Sequence, residues 1–374
     1  APAGPVDAAA LEAAAAELAA RCPGRVSRDL PLAPLTTFRL GGPAALFLRA
    51  ETVADLAALG GVLAATRLPL LVVGRGSNLL IADAGWPGVV LHLGQRFRRI
   101  EIEGTEMEVG AATPLPGLAA RSAAASLGGI AFAVAIPGSV GGGVRMNAGA
   151  HGTELADRLV WADVLQLTDP EGSGEPHDGP AGRRSGPVPP TGAGEPQRPE
   201  GSGEPQGGAP VGRAPVGRAG QVAAAPPAGP VRLKPDQLGF GYRRSALPPG
   251  AVVTAARFAL APAQEAAVRA EIDEARRWRR DNQPVNQPNC GSVFANPPEM
   301  AAGRALELLG MKGERCGGAQ VSQVHANFIV AADGASSADV LALIRRAMRR
   351  ARDQLGVTLR TEVQLVGDFG GEPR

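Results

Sequence analysis

Aromatic residues are scarce in this chain: they make up 3% of its 374 residues, with a single tyrosine, Tyr242. Aliphatic side chains and alanine must therefore build its cores. Only three cysteines occur, Cys22, Cys290 and Cys316. Their unrelated spacings give neither a disulfide framework nor the paired ligands of a zinc site. A dominant charge of one sign is also missing. Lys and Arg number 38 against 36 Asp and Glu, a formal net charge of +2, too little to hold nucleic acid or an anionic membrane. No apolar run approaches the roughly 20 residues of a membrane-spanning helix. The alanine-rich stretch before Cys22 lacks a basic leader and is interrupted by Asp7, Glu12 and Glu17, so it reads as an amphipathic helix and not as an export signal. The expectation is a cytoplasmic protein with reduced thiols, no nucleic-acid partner and no membrane insertion.

What is present is an ordinary balance of 44% hydrophobic and 20% charged residues, over a length that suits two or three domains. One stretch departs from it, from about Thr168 to Pro230. Gly, Pro, Ser, Ala and Gln dominate there, and short repeats occur: Gly-Ser-Gly-Glu-Pro at Gly172 and Gly201, Ala-Pro-Val-Gly-Arg at Ala209 and Ala214. Such a composition cannot bury enough apolar surface to offset the entropy of ordering it. It reads as a disordered insertion. Leu159–Leu167 and Val231–Leu233 on its flanks read as strands, so the insertion lengthens a hairpin turn, which loop-closure entropy tolerates. Its Pro-x-x-Pro spacings suit either a plain spacer or a ligand for a partner domain.

The rest alternates helices and strands. A helix over Val53–Ala65 leads to a strand, Leu68–Val73, and a second apolar run, Leu79–Ala82. Short strands follow at Val89–Leu93, Ile100–Ile102 and Met107–Val109, then a helix over Leu115–Leu127. Beyond the insertion come a helix at Gln264–Arg280, a strand at Ala326–Ala331, a helix opening near Ser337 and a strand at Thr358–Val366.

Two glycine-rich loops interrupt this pattern. Gly74-Arg75-Gly76-Ser77-Asn78 follows a strand directly. Its glycines permit positive φ and bring backbone N–H groups close to a phosphate, while Ser77 and Asn78 add donors. It is neither a Walker A loop nor a Rossmann fingerprint, and alone it reads equally as a strand-ending turn. The second runs Ile136-Pro137-Gly138-Ser139-Val140-Gly141-Gly142-Gly143 and on through Arg145 to Asn147. Close approach to a large ligand and a tight crossover both account for it, but two such loops together favour a dinucleotide.

Both loops, with Pro34-Leu35-Thr36-Thr37-Phe38-Arg39-Leu40-Gly41-Gly42 before them, resemble the UDP-N-acetylenolpyruvoylglucosamine reductases. That family lies within the wider group of vanillyl-alcohol oxidase-like (PCMH-type) flavoproteins. Four further segments are similar to its motifs: Tyr242-Arg243-Arg244-Ser245, Gly291-Ser292-Val293-Phe294-Ala295-Asn296-Pro297, Gly317-Gly318-Ala319-Gln320-Val321-Ser322 with His325-Ala326-Asn327-Phe328, and Thr361-Glu362-Val363. The resemblance covers the chain outside the N-terminal helix and the insertion.

The resemblance implies FAD held by Gly74, Arg75, Gly76, Ser77 and Asn78 and by Ile136, Gly138, Ser139, Gly142 and Asn147. No histidine stands at the core of either loop, so the FAD is non-covalent, with NADPH as reductant. The substrate implied is UDP-N-acetylglucosamine enolpyruvate. Arg243, Ser292 and Glu362 correspond to the catalytic set, with Ser292 as proton donor. Tyr242, Arg279, Arg280 and Asn296 are the candidates for substrate binding, although the arginines equally suit a solvated helix face. His325 reads as a buried, hydrogen-bonded residue. Cys290 near Ser292 invites a thiol nucleophile, but no histidine stands close in sequence to activate it.

The implied fold is mixed α+β and α/β. An FAD-binding domain is expected in two parts, residues 1–92 joined by 358–368, and 93–262 with the insertion at 168–230. A C-terminal α/β substrate domain follows over 263–357. Some members close their site with a tyrosine loop; with Tyr242 as the only tyrosine, this chain matches the shorter type. Two rival readings stand beside this one: another FAD-dependent oxidase of the wider group, and a flavin-binding docking protein that uses the proline-rich insertion.

Overall fold

The computed structural model describes residues 6–168 and 229–370. The insertion, apart from Thr168, Gly229 and Pro230, lies outside the described residues. Its flanks do not. Leu159–Gln166 and Val231–Leu233 pair antiparallel, Ala162 opposite Leu233 and Val164 opposite Val231, so the chain leaves and re-enters the fold at one edge of one sheet.

The first helix, Ala8–Arg21, starts where Asp7 accepts the Ala9 N–H, and buries Ala14, Ala15 and Leu18. It packs on the helix Val53–Thr66. That helix opens on a capping box between Thr52 and Asp55, which satisfies two donors that a helix start leaves unpaired. Below them lies a four-stranded sheet in the order Val26–Pro31, Pro43–Ala50, Trp86–Leu93, Leu70–Val72. The first pair is antiparallel and the others parallel. Val89, Val90 and Leu91 are successive in sequence and all buried, as a parallel strand covered on both faces requires.

The second sheet is wholly antiparallel, in the order Val231–Leu233, Leu159–Gln166, Ala251–Ala259, Glu106–Gly110, Ile100–Glu103. Helices Leu115–Ala124 and Glu265–Asn282 pack together beside it. Leucine, valine and alanine form most of this core, with few aromatics among them. A third group of elements gathers the sheet Arg315–Cys316, Ala319–Val321, Ile329–Ala331 and the helices Ala302–Leu308 and Ser337–Leu355 around a separate apolar cluster. The long helix begins at a Ser336–Asp339 capping box and ends at Gly356 with φ 65°. Asp83, far away in sequence, accepts the N–H groups of Ser337 and Ala338 at 2.8 and 3.0 Å. A carboxylate is favoured at that end of a helix dipole.

Three elements differ from the sequence expectation. The strand expected over Thr358–Val366 is two strands. Arg360–Thr361 pairs with Phe294–Ala295, and Gln364–Val366 runs parallel to Leu79–Ile81. Between them the N–H groups of Glu362 and Val363 both turn to the Val293 carbonyl, at 2.8 and 3.4 Å. The helix expected to Leu127 stops at Ala124 because Ser126 adopts a left-handed φ of 56°. The strand expected from Ala326 begins at Ile329, since Phe328 N–H bonds back to His325 O at 3.0 Å in a turn. Among the described residues no helix is long and apolar enough to cross a membrane, and no group of His, Cys, Asp and Glu could hold a metal ion.

Candidate active site

The two glycine loops lie side by side. Arg75 Nε donates to Pro137 O at 2.7 Å, across 62 residues of sequence. A Cβ added to Gly74 would lie 2.6 Å from Ser139 Oγ, and one on Gly138 would lie 3.4 Å from Ser77 Oγ. Gly76 has φ 56°, and a Cβ there would meet Leu35 O at 2.3 Å. Glycine is thus required twice over, for conformation and for space. Thr37 N–H donates to Gly76 O at 3.2 Å, which seats the Thr36–Thr37 segment under the first loop.

These loops fit a diphosphate. The backbone N–H groups of Gly74, Arg75, Gly76, Ser77, Asn78, Gly138 and Ser139 donate to no other described residue. Free N–H groups in glycine turns are what an anionic bridge between two nucleotides requires. Ser139 caps the short helix Val140–Arg145 by accepting the Gly142 N–H at 3.5 Å.

Asn147 closes the second loop and faces inward. It is 1% exposed and left-handed, φ 42°. Its Nδ2 donates to Glu154 Oε2 at 2.6 Å and to Gly241 O at 3.1 Å, and its Oδ1 accepts the Ala156 N–H at 3.1 Å. The side chain expected to bind cofactor is therefore engaged within the protein. It connects the second loop to the strand Thr153–Glu154 and to the turn that carries Arg243.

That turn is closed by a bridge between Gly241 and Arg244. Arg243 within it has φ 54°, a strained conformation for a residue with a side chain. Its guanidinium contacts Glu362 Oε1 through Nε at 3.2 Å, Glu154 Oε1 through Nη1 at 3.5 Å and Gly149 O through Nη2 at 2.9 Å. Tyr242 is 53% exposed and its ring centre lies 4.8 Å from the Arg243 guanidinium carbon.

Ser292 immediately precedes the carbonyl to which Glu362 N–H is bonded, so serine and glutamate sit on adjoining segments. Ser292 is half-buried, and its hydroxyl has no hydrogen-bond partner among the described residues. Asn327 fixes this loop. Its Oδ1 accepts Phe294 N–H at 2.9 Å, its Nδ2 donates to Phe294 O at 2.8 Å, and its carbonyl accepts Val293 N–H at 2.9 Å. The first glycine loop reaches the same place: Asn78 Nδ2 donates to Glu362 O at 3.1 Å. Arg243, Ser292, Glu362 and Asn78 thus converge from four distant stretches of sequence.

Burial pushes the Glu362 carboxyl above its ordinary range, and Arg243 offsets this only in part. Burial also pushes the Tyr242 hydroxyl up, against the pull of Arg243 and with the help of Glu362 and Glu154. Cys290 is fully buried and its thiol is pushed up by burial, with the Glu362 charge adding to the effect. It stays protonated, which agrees with reading it as inert. His325 accepts Asn327 N–H on Nδ1 at 3.1 Å and packs edge-on to Phe328, and burial pulls its pKa down.

The remaining candidates stand apart from this set. Arg279 Nε donates to Gln283 at 2.9 Å, and Arg280 is exposed at the end of the same helix. Asn296 Oδ1 accepts Ala302 N–H at 3.0 Å and so opens the helix Ala302–Leu308. None of the three bonds to Arg243, Ser292 or Glu362 among the described residues. Sequence reasoning missed Glu154 and Gly149, and named Asn327 only within a motif. The signal for the first two was Gly152, whose φ of 78° marks a turn that returns Glu154 opposite Gly149.

Comparison with known proteins matches two family models. One, "UDP-N-acetylenolpyruvoylglucosamine reductase, C-terminal domain", covers residues 283–366, and the other, "FAD binding domain", covers 44–172. A UDP-N-acetylenolpyruvoylglucosamine reductase of Anaeromyxobacter sp. (strain Fw109-5) is 38% identical over 96% of this chain and 93% of its own length. One from Rubrobacter xylanophilus is 33% identical over 91% of this chain and 95% of its own. The crystal structure of the Thermus caldophilus UDP-N-acetylenolpyruvylglucosamine reductase superposes with a TM-score of 0.66 at 32% identity, covering 91% of this chain and 99% of that one. The expected pairing of an FAD-binding domain with a C-terminal domain of this family is borne out.

Proposed function

Since the chain belongs to the UDP-N-acetylenolpyruvoylglucosamine reductases, we propose that Arg243, Glu362 and Ser292 carry the reduction of an enolpyruvyl group. The reaction is the NADPH-dependent conversion of UDP-N-acetylglucosamine enolpyruvate to UDP-N-acetylmuramate, a step in making peptidoglycan precursors. The two glycine loops would hold FAD non-covalently, and the flavin would supply the two-electron chemistry that links NADPH to the β-carbon of the enolpyruvyl ether.

The protein's task follows from where charge goes. Hydride at the β-carbon places negative charge on the α-carbon, and that charge spreads into the carboxylate. Preorganised donors in a site that excludes water stabilise it. Arg243 supplies them. Its planar fork cannot lose its charge and suits a carboxylate. Glu362, raised toward its neutral form, presents a second donor without repelling the anion. Ser292 then protonates the α-carbon. A hydroxyl is a weak acid, but the carbanion-like centre is a strong base. Tyr242 is assigned to substrate binding, and Arg279, Arg280 and Asn296 to the diphosphate of the nucleotide.

The contact between Arg243 and Glu362, with Ser292 on the adjoining segment, carries this assignment of roles. The experiment is anaerobic mixing of the yellow protein with NADPH, followed by the enolpyruvyl nucleotide. Bleaching and then return of colour is the expected result. Bleaching with no return on adding the nucleotide would sink the reading.

A further inference from the structure

We propose that Glu154 is a positioning residue for this reaction, a fixed counter-ion that orients Arg243 so that Glu362 is free to meet the substrate uncharged. The inference rests on the reading of Arg243 as the carboxylate clamp.

Arg243 lies between two carboxylates, Glu362 at 3.2 Å and Glu154 at 3.5 Å. The substrate brings a third. One guanidinium cannot balance three anions in a half-buried site, so one of the two glutamates must take up a proton when substrate enters. The geometry separates their roles. Both side-chain partners of Glu154 are donors, Arg243 and the Asn147 amide at 2.6 Å, so both suit a carboxylate. Asn147 is itself held by Gly241 O and Ala156 N–H. Glu154 is thus clamped through a buried amide to the same turn that carries Arg243. Glu362 has Arg243 as its one side-chain partner among the described residues, which leaves it able to release the arginine and donate.

The hairpin of Gly149–Ala150 and Thr153–Glu154 is shaped for this purpose. Glu154 lies opposite Gly149, and Gly149 O accepts from Arg243 Nη2 at 2.9 Å. A Cβ on Gly149 would lie 3.1 Å from Arg243 Nη1 and 2.8 Å from Glu154 Cγ. Glycine there makes room for the pair. The hairpin therefore supplies two of the three partners of the guanidinium. The charged and titratable groups around Glu362 are Arg243 and Tyr242 from the turn, Glu154 from the hairpin and Cys290 from the serine loop.

The test is Glu154→Gln in the yellow, flavin-loaded protein. Without the fixed anion Arg243 turns wholly to Glu362 and holds it ionised. KM for the enolpyruvyl nucleotide then rises about tenfold at neutral pH, the value of one lost charge-assisted hydrogen bond. The rise disappears in acid, where Glu362 is protonated again, so the pH limb moves down. Binding of the nucleotide to the oxidised protein, followed by calorimetry without NADPH, shows the same shift. Reduction by NADPH alone is unchanged. A loss of equal size at every pH, or no change, overturns the proposal. Glu154→Asp keeps the charge on a shorter arm and is the second variant should Gln fail to hold flavin. It raises KM less and leaves the pH limb in place, and a displaced limb overturns the proposal. If wild-type protein never recovers colour with the nucleotide, the reading of the function fails. If wild type turns over and the variants match it, only the role of Glu154 fails.

Discussion

Replacing Arg243 with lysine keeps the positive charge and removes the fork. Three nitrogens of Arg243 have partners: Nε faces Glu362, Nη1 faces Glu154 and Nη2 donates to Gly149 O. A guanidinium carries five N–H groups, so each terminal nitrogen keeps one for an incoming carboxylate. Lysine presents a single ammonium that cannot serve the internal partners and also grip two carboxylate oxygens. One charge-assisted contact of the pair is lost, about 1.5–3 kcal/mol. That corresponds to a fall of roughly 10- to 150-fold in kcat/KM for the enolpyruvyl nucleotide. The assay is steady-state turnover with each substrate varied in turn, beside single-turnover flavin reduction by NADPH. Flavin reduction is expected to stay near the wild-type rate. Equal loss in both half-reactions would refute the reasoning, because it would show damage to the cofactor site and not to the clamp. Wild-type turnover with the nucleotide would refute it equally.

Two other substitutions probe the support of the site. Folding raises the pKa of Glu362, so the folded state binds that proton more tightly than the unfolded chain. Stability falls as pH climbs from the ordinary carboxyl value through the raised one. Glu362→Gln removes that slope, and the stability of the variant relative to wild type should grow with pH across this window in urea titrations; a pH-independent difference contradicts it. Asn327→Ala orphans the N–H and C=O of Phe294, which is 2% exposed. Its expected cost is about 2–5 kcal/mol in denaturant unfolding, and a loss under about 1 kcal/mol would show that the loop finds other partners.

Local chemistry made some of this molecule legible in its sequence. Gly74 and Gly76 stood out because the backbone approaches other atoms too closely for a Cβ, and such positions select glycine whatever surrounds them. The helix expected near Ser337 does begin there, at a serine with an acid three residues later. The strand at Val231 was visible because apolar residues return there after a long polar stretch. What depended on distant partners was not legible. Asn147 carries the donors a cofactor would want, yet its amide turns inward to Glu154 and Gly241. Glu154 looked like any hairpin carboxylate, since its role depends on Arg243, 89 residues further along. The last strand splits at Glu362 because two successive N–H groups share the Val293 carbonyl, a contact with no trace in the local pattern. Position along the chain suggested Arg279 and Asn296, and their observed partners, Gln283 and the Ala302 N–H, lie nearby in sequence.

In the proposed roles, hydride transfer and proton transfer fall to different parts of the protein, and Ser292→Ala separates them. In rapid mixing without oxygen, NADPH should bleach the variant at close to the wild-type rate. Adding the enolpyruvyl nucleotide should then restore its colour orders of magnitude more slowly than in wild type. Colour that returns at the wild-type rate would contradict the account, because the α-carbon would then be taking its proton from somewhere other than this hydroxyl.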